Sequence, residues 1–264
     1  MFSSSLFQDQ VALVTGGRSG IGYAIAEMMQ SFGAKVIICS RKEGPLAKAA
    51  ETLGCAYQAC DIRQTEQIEA LAAFIKEEFG RLDILVNNAG GQFPALAEMI
   101  NDKGWNAVIN NNLNGTFFMI REMAKAFFMP QKSGTIVNII ADIFAGFPGM
   151  VHTGAARAGV ENITKTLAVE WSEYQMRINC VAPGIIESSG LENYPPPIQE
   201  MFNQAREGIP AGRFGTVEEV ANAVCFLASP LASYISGTTL YVDGAKHLNY
   251  DSMGLPRVIK SFLG

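Results

Sequence analysis

TGGRSGIG, residues 15–22, is the stretch that decides how this chain folds. It follows the apolar run Val11, Ala12, Leu13, Val14 and precedes apolar positions at Ile25, Met28, Met29 and Phe32, which recur at helical spacing. The order strand, glycine turn, helix is therefore expected. Gly16 suits a positive φ in a tight turn, Gly20 lets backbone approach a pyrophosphate, and Gly22 lets the helix pack close to the strand. The helix then aims its first N–H groups at an anion, with Arg18, Ser19 and Ile21 on the same turn.

The end of the second apolar run, Val36 to Lys42, speaks to which dinucleotide would bind. An acidic residue there would hold the ribose hydroxyls and repel a 2′-phosphate, whereas Ser40 and Arg41 offer a hydroxyl and a guanidinium fork suited to that phosphate. NADP(H) is expected in preference to NAD(H). Arg18 adds positive potential, and Lys42 is expected to be a solvated surface lysine.

Composition narrows the remaining classes. A chain of 264 residues with 48% hydrophobic content can bury one large core, and a single α/β domain over 1–264 is expected. A net charge of −5 and a pI near 5.2 argue against nucleic-acid binding. No run of 18 apolar residues and no basic region followed by an apolar core suggests a membrane span or a leader. A terminal Phe262, Leu263, Gly264 lacks the peroxisomal signal, so a cytoplasmic protein is expected. Cys39, Cys55, Cys60, Cys180 and Cys225 lack metal-ligand spacing and read as reduced core thiols, with no metal. Residues 190–215, interrupted by prolines at 195–197, read as a substrate lid with a helix from about Ile198, in which Met201, Phe202 and Ile209 cover an apolar group.

Further motifs follow in order. Asp61 and Ile62 close a third apolar stretch, Asn87 to Gly90 spell NNAG after the run Leu82 to Val86, and Asn112 lies in NNNLNGTF. INCVAPG at 178–184 and YVDG at 241–244 come later. In this arrangement the chain resembles the short-chain dehydrogenase/reductase family over about residues 7 to 245. That resemblance implies a Rossmann-type doubly wound parallel sheet of about seven strands with helices on both faces. It further implies an adenine contact at Asp61 and Ile62, cofactor contacts at Asn88, Ala89, Gly90, Pro183, Gly184, Ile186 and Ser188, a catalytic Asn112, and a homotetramer.

The chain departs from that family where chemistry is done. Ordinary members use a Ser, a Tyr and a Lys, yet Ile139 to Asp142 occupy the Ser region, and MVHTGAARAGV at 150–160 offers Thr153 and Arg157 in place of Tyr and Lys. An aliphatic hydroxyl cannot titrate like a tuned phenol, but it donates a hydrogen bond. Arg157 keeps the charge that binds ribose hydroxyls, but with a pKa above ~12 a guanidinium relays no protons. Conjugate reduction of an α,β-unsaturated thioester suits such a site, because an enolate oxygen needs donors rather than an acid. His152 would orient a water or merely pack; Asp142 would hold a proton-donating water or cap a turn.

Residues 146–171, 177–186 and 87–93 resemble the peroxisomal trans-2-enoyl-CoA reductases and, more distantly, the 2,4-dienoyl-CoA reductases. An NADPH-dependent reductase of an acyl thioester is what that resemblance implies. The segment ADIFAGFPGM, residues 141–150, also resembles bacterial enzymes of citronellol or citronellal oxidation, which implies an alcohol or aldehyde substrate instead. A dinucleotide-binding protein without catalysis is a third possibility. The extension 246–264 carries Lys246, His247, Arg257 and Lys260, which are expected to be solvated. Trp105 and Trp171 are expected in helices, as core or interface residues.

Overall fold

The apolar runs become strands of one sheet in a computed structural model that describes residues 3–187, 200, 204–249 and 262. The strands are β1 (Val11–Thr15), β2 (Lys35–Ser40), β3 (Ala56–Ala59), β4 (Ile84–Asn87), β5 (Gly134–Ile139), β6 (Met176–Pro183) and β7 (Thr239–Val242). They lie side by side in the order β3-β2-β1-β4-β5-β6-β7, and every pairing is parallel. A parallel sheet is covered on both faces, so its central strands need apolar residues at every position. In β1 and β5 every residue is buried.

The helices are α1 (Gly20–Ser31), α2 (Glu43–Leu53), α3 (Thr65–Phe79), α4 (Asp102–Ile109), α5 (Gly115–Met123), α6 (Met129–Gln131), α7 (Val151–Glu170) and α8 (Val217–Ala228). Side chains alternate along β1 with the period of two that a strand imposes. Ala12 and Val14 pack with α1 and α8 on one face, while Val11 and Leu13 pack with α3 and α5 on the other. This is the doubly wound architecture expected from the sequence. Arg177 on β6 secures the end of α8 by donating to the carbonyls of Leu227, Ala228, Ser229 and Ala232, the acceptors a helix C-terminus leaves over.

Strand order reverses between β1 and β4, and at such a reversal a crevice opens beyond the carboxyl ends of the strands. The glycine turn ends β1 and the NNAG stretch ends β4 at that place. Between α4 and α5 the helix widens into π turns at Asn110–Asn114, a local strain that often marks a functional position. Trp105 lies in α4 and is 38% exposed, so it is not core. Trp171 does not lie within a helix; it caps the end of α7 and packs half-buried on the core. Of the expected lid, residues 190–199 and 201–203 lie outside the described residues, and 204–207 are helical. No helix among the described residues is long and apolar enough to cross a membrane.

Candidate active site

At the crevice the glycine turn has the geometry its residues demand. Gly16 and Gly20 take φ of 68° and 57°, values that strain any side chain. Around Gly20 the space is open and the residue is exposed, while a Cβ on Gly22 would collide with Asn88 and the Gly16 carbonyl. Gly22 thus allows close packing chiefly against the turn itself. Ser19 ends the turn in extended conformation without capping α1 by its side chain, which leaves first-turn N–H groups for an anion.

A cleft of about 260 Å³ runs from this turn to the ends of β2 and β3, with Arg18, Ser19, Ser40, Arg41 and Lys42 in its wall. The Ser40 hydroxyl is buried there without a hydrogen-bond partner. Such an orphan costs about 1–3 kcal/mol unless a ligand satisfies it. Lys42 is exposed as expected but also forms part of the wall. Ile62 and Cys60 face the cleft, whereas the Asp61 carboxylate is taken up by Arg63, whose Nε donates at 2.8 Å. That pairing holds the Asp61 carboxyl below its usual range, helped by Arg41 nearby. Asp61 is therefore placed to orient Arg63, and its carboxylate does not line the cleft.

The NNAG stretch ties two strand ends together. Thr15 Oγ1 accepts from the N–H groups of Asn88 and Ala89 at 3.0 and 2.9 Å, and the Asn88 amide donates to the Thr15 carbonyl. Asn87 donates to Asn138 on β5, which donates to Thr164 on α7. Asn112 is fully buried, donating to the carbonyls of Gly91 and Val108 and accepting from the Gly91 N–H. A Cβ at Gly90 would lie 2.5 Å from the Arg157 guanidinium and 2.7 Å from Asn112. Only glycine leaves room for both.

Asn88 and Gly90 line the cleft and also a second cavity of about 650 Å³, so the two spaces adjoin as the halves of a dinucleotide require. Ile21, Pro183, Gly184 and Ile186 enclose the second cavity from one side, and Ile140, Phe147 and Met150 add apolar surface. Asn111 in the cleft, and Gln92 and the Phe147–Met150 turn in the cavity, are wall residues that sequence reasoning missed. The two spaces together fit an extended dinucleotide with an apolar substrate beside it: open glycine backbone, an orphaned hydroxyl at Ser40, and a buried cation at Arg157.

Helix α7 carries His152, Thr153 and Arg157, of which one reaches the wall of the cavity. Arg157 lines it, donating from Nη1 to the Ile139 carbonyl at 3.0 Å while its Nε has no partner. Burial pulls its guanidinium down to about 10, because a low-dielectric setting disfavours the charge. Thr153, one helical turn away, is fully buried with an unpartnered hydroxyl. It stands behind the open wall rather than in it. His152 is also fully buried and meets Phe93 edge to face at 4.6 Å. Its Nδ1 accepts the Thr153 N–H, so it packs and takes no place in the cavity wall.

Opposite α7, Asp142 sits three residues beyond β5, its N–H bonded to the Pro183 carbonyl. One oxygen accepts the Phe144 N–H at 3.4 Å, a turn-capping contact, and the other accepts from Lys246 at 3.0 Å. Lys246 is therefore not simply solvated: it lines the cavity with Asp142. His247 is likewise engaged, its Nδ1 against the Asp243 carboxylate at 2.7 Å. A lysine after the last strand looks free in a sequence because its partner lies on a distant loop. Ile209, expected over the substrate, is buried against the Gly244 turn instead. Ser188, Met201, Phe202, Arg257 and Lys260 lie outside the described residues. The five cysteines are free, and among the described residues no cluster of His, Cys, Asp or Glu could hold a metal.

With this geometry in view, similarity to known proteins takes on meaning. Residues 16–247 match a family model described as enoyl-(acyl carrier protein) reductase. A probable 2,4-dienoyl-CoA reductase of Bacillus subtilis is 37% identical, over 92% of this chain and 98% of that protein. The peroxisomal 2,4-dienoyl-CoA reductase of Rattus norvegicus is 38% identical, over 92% of this chain and 86% of that one. Among solved structures, a citronellol catabolism dehydrogenase of Pseudomonas aeruginosa is 41% identical with a TM-score of 0.84, covering 94% of this chain and 98% of the other. Glycine turn, NNAG tie, parallel sheet and near full-length matches all agree: this chain belongs to the short-chain dehydrogenase/reductase family.

Proposed function

We propose that this protein reduces a carbon–carbon double bond of an α,β-unsaturated acyl thioester, a 2-enoyl- or 2,4-dienoyl-CoA, with NADPH. The observation that carries this is the makeup of the cavity wall. Among its described residues the ionisable side chains are Asp142, Arg157 and Lys246, with no phenol, while an orphaned hydroxyl stands at Thr153. A described wall without a phenol suits an enolate better than a carbonyl awaiting a proton. Relatives named 2,4-dienoyl-CoA reductases support the same substrate class.

NADPH, when bound, supplies the hydride. The chain's own residues do the rest. Gly20 and the start of α1 take the pyrophosphate, Ser40 and Arg41 the 2′-phosphate, and Arg157 the nicotinamide-side ribose, while Asn112 fixes the Gly91 backbone. Thr153 gives the thioester oxygen a donor as negative charge gathers on it, once a modest shift of the wall uncovers the hydroxyl. The apolar wall at Ile140, Phe147 and Met150 takes the acyl chain. A homotetramer, as in the family, is part of the proposal, and light scattering checks it.

NADPH consumption with crotonyl-CoA and hexadienoyl-CoA, run beside NADP⁺ reduction with citronellol, tests the proposal. Oxidation of NADPH by a thioester is expected. The second reading, oxidation of a terpenoid alcohol, is favoured by the citronellol catabolism dehydrogenase as structural neighbour, and would show the reverse pattern. For the cofactor, Arg41→Ala should cost about 1.5–3 kcal/mol of NADPH affinity, the range for a charge-assisted hydrogen bond. NADH affinity should hardly change. Calorimetric titration checks it, and equal affinity of the unaltered protein for NADH and NADPH would contradict it.

A further inference from the structure

The turn after β7 is built to hold Lys246 in place. Asp243 accepts from the N–H of Ala245 at 3.1 Å and from the N–H and Nδ1 of His247 at 2.7 Å each. The His247 ring stacks on Tyr241, centroids 4.0 Å apart, and Phe144 meets both rings edge-on. Ala245 is forced to a φ of 67°, a conformation non-glycine residues hold only where surroundings impose it. From this turn Lys246 reaches back to Asp142, with the lysine side chain 39% and the aspartate side chain 8% exposed. The lysine side chain thus lines the cavity and is also partly open to solvent.

We propose that Lys246 is the acid of the reaction, delivering a proton to the carbon end of the enolate from its place beside Asp142. This rests on the thioester reduction proposed above. Among the described residues, the titratable and charged groups that face Lys246 or share its cavity are Asp142, Arg157, Asp243 and His247. Arg157 is buried, donates to the Ile139 carbonyl and, in the reading above, holds the nicotinamide-side ribose, and a carboxylate paired to an ammonium offers only acceptor oxygens. An ammonium has three N–H bonds, of which Asp142 occupies one. The electrons balance simply. Hydride addition to the far carbon of the conjugated system pushes a π pair onto the thioester oxygen. An N–H bond of Lys246 then breaks, its pair staying on nitrogen. That proton bonds to carbon as the enolate returns to a carbonyl. The neutral amine regains a proton from solvent on its exposed side, and Asp142 holds the renewed cation in register.

Lys246→Arg keeps a cation against Asp142 but removes the transferable proton, and Lys246→Ala removes both. With hexadienoyl-CoA and NADPH, both variants should lose about 10²–10⁴-fold in kcat, the range for general acid catalysis, with NADPH affinity unchanged. Added ethylamine should restore part of the Lys246→Ala rate and none of the Lys246→Arg rate. A Lys246→Arg enzyme that keeps most of its kcat, or an absence of amine rescue in a folded Lys246→Ala enzyme, would overturn the proposal. Failure of the underlying function looks different: the unaltered enzyme would then reduce no thioester at all, and the acid role would fall with it.

Discussion

Thr153→Val should slow thioester reduction by roughly one to three orders of magnitude while making the protein no less stable. The rate falls because one preorganised donor to the enolate oxygen is gone, a loss borne mainly by the transition state. Stability moves the other way for a separate reason. The Thr153 hydroxyl is fully buried and makes no hydrogen bond, and such a group costs about 1–3 kcal/mol. Valine fills nearly the same volume without that cost, and for a chain of this size about 1 kcal/mol corresponds to about 2–4 °C in Tm. Steady-state kinetics beside thermal melts of the apo protein would show the split. An unchanged kcat would remove Thr153 from the reaction and leave it a packing residue.

Arg157→Met carries the second large effect. Arg157 is buried at the cavity wall, with a single hydrogen bond from Nη1 and none from Nε. Desolvation brings it down from the usual arginine range to about 10, a gap worth about 3 kcal/mol in order of magnitude. NADPH affinity should fall about 10–150-fold, the equivalent of 1.5–3 kcal/mol for lost charge-assisted bonds, with a further loss in kcat. The apo protein should become more stable, because methionine removes a poorly compensated buried charge. The sign with pH follows from the depressed value. Above about pH 10 the folded protein sheds the proton that the unfolded chain still holds, so the penalty of burying the charge is present below that pH and relieved above it. In urea titrations between pH 8.5 and 11, the stability deficit of the unaltered protein relative to Arg157→Met should shrink as pH rises. A constant deficit would contradict this assignment.

The fold was legible because its determinants are local. A glycine turn needs positive φ at Gly16 and Gly20, and buried parallel strands need unbroken apolar runs such as Val11 to Val14. That Ser40 and Arg41 stand together in the wall of the cleft was legible for the same reason, being two adjacent residues at one strand end. Burial and partnership between distant segments were not. The bond between Lys246 and Asp142 joins residues 104 positions apart, and nothing near either residue announces the other. His152 has a site-like place at the start of α7, yet Phe93 arrives from another loop and encloses it. Asp61 stands beyond β3 where a cofactor contact was expected, but Arg63 two residues on claims its carboxylate.

The destination of the hydride tests the central claim most directly. Hexadienoyl-CoA incubated with NADPH deuterated at the transferred position should yield a thioester with one double bond fewer, carrying one deuterium on a former vinyl carbon and the carbonyl intact. Mass spectrometry and NMR of the product would read both facts. A thioester recovered unchanged, alongside NADP⁺-dependent oxidation of citronellol, would contradict the account and assign this cavity to an alcohol instead.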